Sequence, residues 1–186
     1  MTARFSPSRN VAADLVLYGD KTLLRPFTES DIDATYIGWL NDPEVVRFSN
    51  QRFRSHDRET SLLYLQSFKC SDNLFMSVRR RSDEVRLGTL TTYISKPHGT
   101  ADIGIMIGEK SVWGQGYGQD AWNTLIAWLL ARDDIRKLTA GTLGCNFGMI
   151  KLMQRSGMQH EATRKAQEVL DDQPQDILLY AKFGNS

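Results

Sequence analysis

Three glycines at alternate positions, Gly114, Gly116 and Gly118 in Val112-Trp113-Gly114-Gln115-Gly116-Tyr117-Gly118-Gln119-Asp120-Ala121, constrain this chain more than any other feature. Ahead of them residues 101–107, Ala-Asp-Ile-Gly-Ile-Met-Ile, are rich in β-formers. Behind them Leu125, Ile126, Leu129 and Leu130 recur at helical spacing. The segment therefore reads as a strand delivered into a helix N-terminus. Glycine lets successive amides turn toward one point, and the helix dipole adds roughly half a positive charge there, which suits a phosphate or pyrophosphate. A dinucleotide fingerprint would need glycine where Gln119 stands, and a triphosphate loop would need a Lys after the glycines, so neither fits.

The 186 residues suit one domain with a sizeable core, expected over 16–186, with 1–15 a polar, mobile tail that lacks the apolar stretch of a signal peptide or anchor. A net charge of +1 gives no field that would draw the protein to nucleic acid or a membrane. No apolar run is long enough to span a bilayer, so the cytoplasm is the expected compartment. Cys70 and Cys145 are too few for a disulfide framework and have no neighbours suited to zinc, so two reduced thiols and no metal are expected. A homodimer stays open.

In order, the pattern predicts a strand over 22–27, then a helix from near Ser30 that carries Ile32, Tyr36, Ile37, Trp39 and Leu40 and stops before Pro43. A second helix follows Asp57, and a hairpin joins strands over 75–78 and 85–94. Its tip, from Arg79-Arg80-Arg81 to Glu84, reads as a solvated turn. A strand around Ile105, the glycine loop and a helix to Ala131 come next. A strand over 137–143, a helix over 146–155 and two strands over 159–163 and 175–183 close the chain.

The loop resembles the acyl-CoA loop of the GNAT acetyltransferase superfamily, Arg/Gln-x-x-Gly-x-Gly/Ala, with Trp113 in the Arg/Gln place. Trp-Gly-x-Gly-Tyr is the form familiar from the branch that acetylates ribosomal-protein N-termini and from its small-molecule relatives. Downstream, Asn146, Met149, Leu152, Met153, Gly157 and Met158 fall at the offsets of the family's Asn-x-x-Ala-x-x-Leu-Tyr-x-x-x-Gly-Phe. The resemblance implies an α/β fold with a mixed, mostly antiparallel sheet whose fourth and fifth strands splay apart, flanked by helices. It implies acetyl-CoA as co-substrate, with pantetheine against the backbone of Ile105, Met106 and Ile107 and pyrophosphate on the amides of Gln115, Gly116, Tyr117, Gly118 and Gln119. Asn146 would lie beside the cofactor, cap a helix, or do both.

Acetyl transfer to an amine needs a proton acceptor, because an alkyl amine with a pKa near 10.4 is almost wholly protonated at neutral pH. Asp102 is the first candidate, at the strand position where histone-type relatives carry a Glu, with a water between if its shorter arm falls short. Glu109 is the second, unless it serves only to solvate the loop. An oxyanion would meet a backbone amide near Ile107. The family's acidic Tyr is replaced by Met153, which has no proton to donate, leaving Tyr180, Tyr117 or water. For the acceptor, Trp39 and Phe48 could stack on a sugar or base and Arg47 or Arg52 could bind phosphates, as in amino-sugar acetyltransferases, although Trp39 also suits the core. The expected activity is acetylation of a small-molecule primary amine, such as a nucleotide-linked amino sugar. The alternatives are acetylation of protein N-termini and a non-catalytic CoA-binding module.

Overall fold

The computed structural model describes residues 15–69 and 71–184, so Cys70 and residues 1–14 of the expected tail lie outside it. A two-residue strand absent from the sequence reading, β1 (Leu17–Tyr18), turns directly into β2 (Thr22–Pro26). α1 (Ala34–Asn41) begins later than Ser30 because Glu29–Asp31 forms its own 3-10 turn. Asp33 then caps α1, its carboxylate accepting from the Tyr36 amide at 2.9 Å. α2 (Arg58–Lys69), β3 (Leu74–Arg80), β4 (Arg86–Ser95) and β5 (Thr100–Ile107) follow as expected. After the glycine loop come α3 (Tyr117–Leu130), β6 (Lys137–Leu143) and α4 (Phe147–Arg155). None of the described helices is long and apolar enough to cross a membrane.

The last two strands, β7 (Gln159–Leu170) and β8 (Gln173–Phe183), make a longer hairpin than the sequence reading allows, since β7 runs to Leu170 rather than Thr163. Most of β7 is exposed at the sheet edge, so its charged residues carry no alternation to read. Asp171 and Asp172 close the hairpin with φ of +50° and +60°, a left-handed pair that Asp tolerates better than most residues.

All eight strands form one sheet, ordered β1-β2-β3-β4-β5-β6-β8-β7 and antiparallel throughout except between β5 and β6. One face packs α3 and α4, with Trp122, Leu125, Leu129 and Met153 fully buried against Leu24, Val78, Leu90 and Ile103. The other packs α1 and α2 in an aromatic cluster around Phe75, whose ring stacks on Phe27 at 4.3 Å and on Phe68 at 5.2 Å. Burial of this apolar area on both faces is the dominant driving force for the fold.

The Arg79-Arg80-Arg81 run is not merely a solvated tip. Asp31, 1% exposed, takes the guanidinium of Arg79 and that of Arg86, and its second oxygen accepts the Thr28 amide at 2.9 Å. Arg86 also reaches Asp33, so the entry to α1 is pinned to β3 and β4, while Arg81 donates to the Gly19 carbonyl at 2.7 Å. Asp31→Ala would leave two largely buried guanidiniums without their shared carboxylate. It should lower unfolding free energy by about 3–5 kcal/mol, read as a reduced urea midpoint with an unchanged denaturant slope.

Candidate active site

β5 and β6 pair in parallel only from Thr100↔Lys137 to Asp102↔Thr139, and beyond that point they separate. The Gly108 amide donates to the Leu87 carbonyl at 2.9 Å, which sets the phase of the antiparallel β4–β5 ladder. Backbone groups of Gly104 and Met106 therefore face β4, while those of Ile103, Ile105 and Ile107 face the gap. This corrects one expectation: the Met106 backbone is committed to β4, and only its side chain meets the cleft. The Ile107 carbonyl is also occupied, accepting from the Trp113 indole at 2.8 Å, so its amide is the group left facing the gap.

The loop that follows is shaped from within. Glu109 caps a short 3-10 turn, Lys110–Val112, accepting from the Ser111 amide at 3.1 Å and the Ser111 hydroxyl at 2.5 Å, and these bonds hold its pKa below the usual glutamate value. A capping carboxylate of lowered pKa is a poor base, and Glu109 does not line the cleft. Gly114 and Gly116 take φ of +75° and +86°, conformations that favour glycine, and Gly116 caps α3. The Gln115 amide donates to the Val112 carbonyl at 3.2 Å and its side chain to the Ser111 carbonyl, so the Gln115 backbone supplies no free donor. The Asp120 amide is already bonded to Gly116, which leaves the amides of Gly116, Tyr117, Gly118 and Gln119 at the helix start.

Positive side chains gather beside these amides. The Lys21 ammonium donates to the Gln115 carbonyl at 2.9 Å and lies 5.6 Å from the Tyr117 ring, with the Arg80 guanidinium 6.0 Å from the same ring. The Asp120 carboxylate, in the first turn of α3, does not oppose them. It is consumed by the amides of Asp20, Lys21 and Thr22 and by the Thr22 hydroxyl, at 2.6–3.1 Å.

On the α1/α2 face a cavity of about 310 Å³ opens against the freed end of β5. Its walls include Gly104 to Ile107, Thr89, Thr91, Tyr36, Tyr64, Phe48 and Asn146, and no carboxylate among the described residues. Asn146 serves two ends, capping α4 through the Met149 amide at 3.2 Å and donating to the Thr142 hydroxyl at 3.0 Å. Burial raises the pKa of both Tyr36 and Tyr64, the latter further through its 2.9 Å bond to the Tyr93 hydroxyl, so both stay protonated and can donate. Another cavity, of about 350 Å³, lies beyond Phe75, between α2 and the ends of β2 and β3. Its lining is mostly apolar, and it reaches none of the freed backbone.

Asp102 shares the cavity's face of β5, one pleat repeat from Gly104, but does not line the cavity itself. Much of the residue is solvent-exposed, yet the strands around its carboxyl withdraw it from water enough to raise its pKa. The Thr139 hydroxyl, donating at 2.7 Å, opposes that rise.

Four other expectations are corrected. Tyr180 is 5% exposed in the core under α4, on the opposite face, and Met153 is fully buried there. Trp39 is core as well, packed so tightly on Gly108 that a Cβ at that glycine would come within 2.0 Å of its ring. Arg47 is paired with Asp171, and Arg52 donates to the Val169 carbonyl at 2.9 Å, so both guanidiniums brace the β7–β8 hairpin instead of awaiting phosphates. Phe48 alone of the four expected acceptor residues lines the cavity. The sequence reading missed Tyr36, Tyr64, Thr89, Thr91 and Lys21; the two threonines at alternate positions of an apolar strand were the available signal.

Residues 21–159 match the family model described as "Acetyltransferase (GNAT) domain". The chain is 18% identical over 169 residues to the uncharacterized N-acetyltransferase YoaA of Bacillus subtilis, covering 89% of this chain and 95% of that one. Its fold is similar to the Salmonella typhimurium acetyltransferase that modifies the N-terminal serine of ribosomal protein L7/L12 (TM-score 0.78, 18% identity, 92% of this chain and all of that one). It is also similar to spermidine N-acetyltransferase from Vibrio cholerae, solved with CoA and spermine (TM-score 0.79, 14% identity, 88% and 96% of the two chains).

Asp120→Ala removes the acceptor for four donors of the β1–β2 turn. Stability should fall by about 2–4 kcal/mol, and hydrogen exchange at Asp20, Lys21 and Thr22 should accelerate well beyond that of the α3 interior.

Proposed function

Because the chain belongs to the acetyltransferase (GNAT) family, which uses acetyl-CoA, we propose that it transfers the acetyl group of acetyl-CoA to the primary amine of a small molecule. The observation that carries this reading is the cavity of about 310 Å³ walled by the freed backbone of β5, lying between Tyr36, Tyr64 and Asn146. The chain's own groups fit the co-substrate: four unpaired amides at the start of α3 with Lys21 beside them suit a pyrophosphate, and the Ile105 backbone suits an amide-bearing arm. Bound there, acetyl-CoA supplies a thioester carbon open to attack by an amine.

The residues around it then divide the work. The Ile107 amide, facing the gap, is placed to donate where negative charge develops on the acyl oxygen, a contribution of a few kcal/mol. Asp102, on the same face and with a raised pKa but about 16 Å along β5 from Ile107, takes the amine's proton through a chain of waters. Tyr36 and Tyr64 hold the acceptor as hydrogen-bond donors. No acid is required at Met153, since a thiol pKa of about 8.5 makes the thiolate a fair leaving group near neutrality. The nucleotide-linked amino sugar loses its support, because Trp39 is buried and Arg47 and Arg52 are occupied; the small amine does not.

Gly116→Val places a β-branched residue at a φ of +86° and should weaken acetyl-CoA binding at least about tenfold by calorimetry while the protein remains folded. Unchanged affinity would remove the loop from the cofactor site. Asp102→Asn should lower kcat/KM at neutral pH by roughly 10²-fold and recover toward wild type as pH approaches the amine's own pKa. A deficit constant across pH would mean that Asp102 is not the base.

A further inference from the structure

The cavity against β5 does not end at Tyr36 and Tyr64. These two residues, with Leu40 and Gln51, also wall a side chamber of about 170 Å³ that continues between α1 and the start of α2. Its remaining lining is Arg54, Ser55, His56, Thr60 and Ser61. The chamber is thus the far end of the acceptor site, and its chemistry bears on what the acceptor carries besides an amine.

Three observations give it a sign. Arg54 forms no ion pair or side-chain hydrogen bond among the described residues, unlike Arg47, Arg52 and Arg58, which donate to Asp171, Val169 and Ile32 respectively. The Ser61 hydroxyl is buried, 4% exposed, and has no partner. Among the described residues no acidic side chain lines the chamber: nearby Asp57 directs its carboxylate onto the Thr60 amide and hydroxyl, each at 2.8 Å. Asn41 holds the His56 backbone from both sides, its amide donating to the His56 carbonyl at 2.8 Å and its oxygen accepting the His56 amide at 2.9 Å, so this wall is fixed in place. The His56 ring has only a long contact, 3.4 Å, to the Gln51 carbonyl.

A buried hydroxyl without a partner is destabilising, and a ligand oxygen accepting from it would restore the missing bond. A guanidinium with free donors matches a carboxylate or phosphate in two-point geometry. A second ammonium, as in a diamine, would meet Arg54 with no counter-charge. We propose, resting on the acetyl-transfer reading above, that the acceptor is an amine carrying an anionic group, carboxylate or phosphate, which this chamber holds through Arg54 and Ser61 while the amine lies in the main cavity.

The test is a thiol-release assay with acetyl-CoA and matched acceptors: β-alanine to 6-aminohexanoate, 2-aminoethyl and 3-aminopropyl phosphate, diamines of equal length, and uncharged alkylamines. Carboxylate or phosphate acceptors should exceed the diamines and alkylamines in kcat/KM by about tenfold or more, the scale of one charge-assisted contact. Which of the two anionic sets leads identifies the group. Arg54→Gln should remove that advantage, chiefly through KM, and leave alkylamine turnover within about twofold; Ser61→Ala should have a smaller effect in the same direction. Equal use of all acceptors, or an Arg54→Gln loss shared by all of them, overturns the proposal. Calorimetry with 2-aminoethyl phosphate and 6-aminohexanoate separates it from the parent reading. Binding that depends on Arg54 without any acetyl transfer supports the chamber and sinks the transfer reading, whereas transfer without anion dependence does the reverse.

Discussion

The structure depends on the parting of two strands. After three paired residues β5 and β6 diverge, although each remains hydrogen-bonded on its outer side to β4 and β8. A strand in the middle of a sheet ordinarily has both edges satisfied, and leaving amides and carbonyls unpaired there is costly unless something else bonds them. Trp113 relieves one carbonyl, at Ile107, and the remaining groups of Ile105 and Ile107 are left for a ligand or water. The glycine loop, the start of α3 and the cavity under Tyr36 and Tyr64 are all arranged around that open edge.

Lys21 and Asp120 show how the same site is tied to the far end of the chain. Asp120 gathers the turn before β2 with its carboxylate, and Lys21, carried on that turn, bonds the Gln115 carbonyl across the loop. The positive charge beside the free amides is therefore held in place by an acidic residue one helical turn away. Neither residue carries a pattern in the sequence, because 99 residues separate them and only the sheet's closure brings them together.

What was legible follows the range of the physics. The strand over 137–143 and the Asn146 cap show in the sequence because their signals lie within a few residues of one another. The glycine loop was readable because positive φ leaves a residue-type signature. The free amides were not: Gln115 looks as available as Gly118 until the bond to Val112 is seen, and Met106 as available as Ile105 until the ladder's phase is known. Arg47 and Arg52 misled for a related reason. Their partners, Asp171 in the β7–β8 turn and Val169 at the end of β7, lie more than a hundred residues away, and the exposure of β7 hides its periodicity. Tyr36 passed for an ordinary apolar position because its ring does pack in the core, and Tyr64 was not singled out at all.

The clasp formed by Arg47 and Arg52 on the β7–β8 hairpin gives the sheet unequal stiffness. At one end the halves are riveted by backbone bonds between residues 100–102 and 137–139. At the other, side chains span the gap: an exposed Arg47–Asp171 ion pair contributing about 0–1 kcal/mol and screened by salt, a sheltered Arg52 guanidinium on the Val169 carbonyl and beside Glu168, and Asn50 donating to Glu168. The gap thus resembles a pair of tongs with a rigid pivot and a compliant grip. Spreading by an inserted ligand therefore loads the side-chain grip before it loads the backbone-bonded pivot.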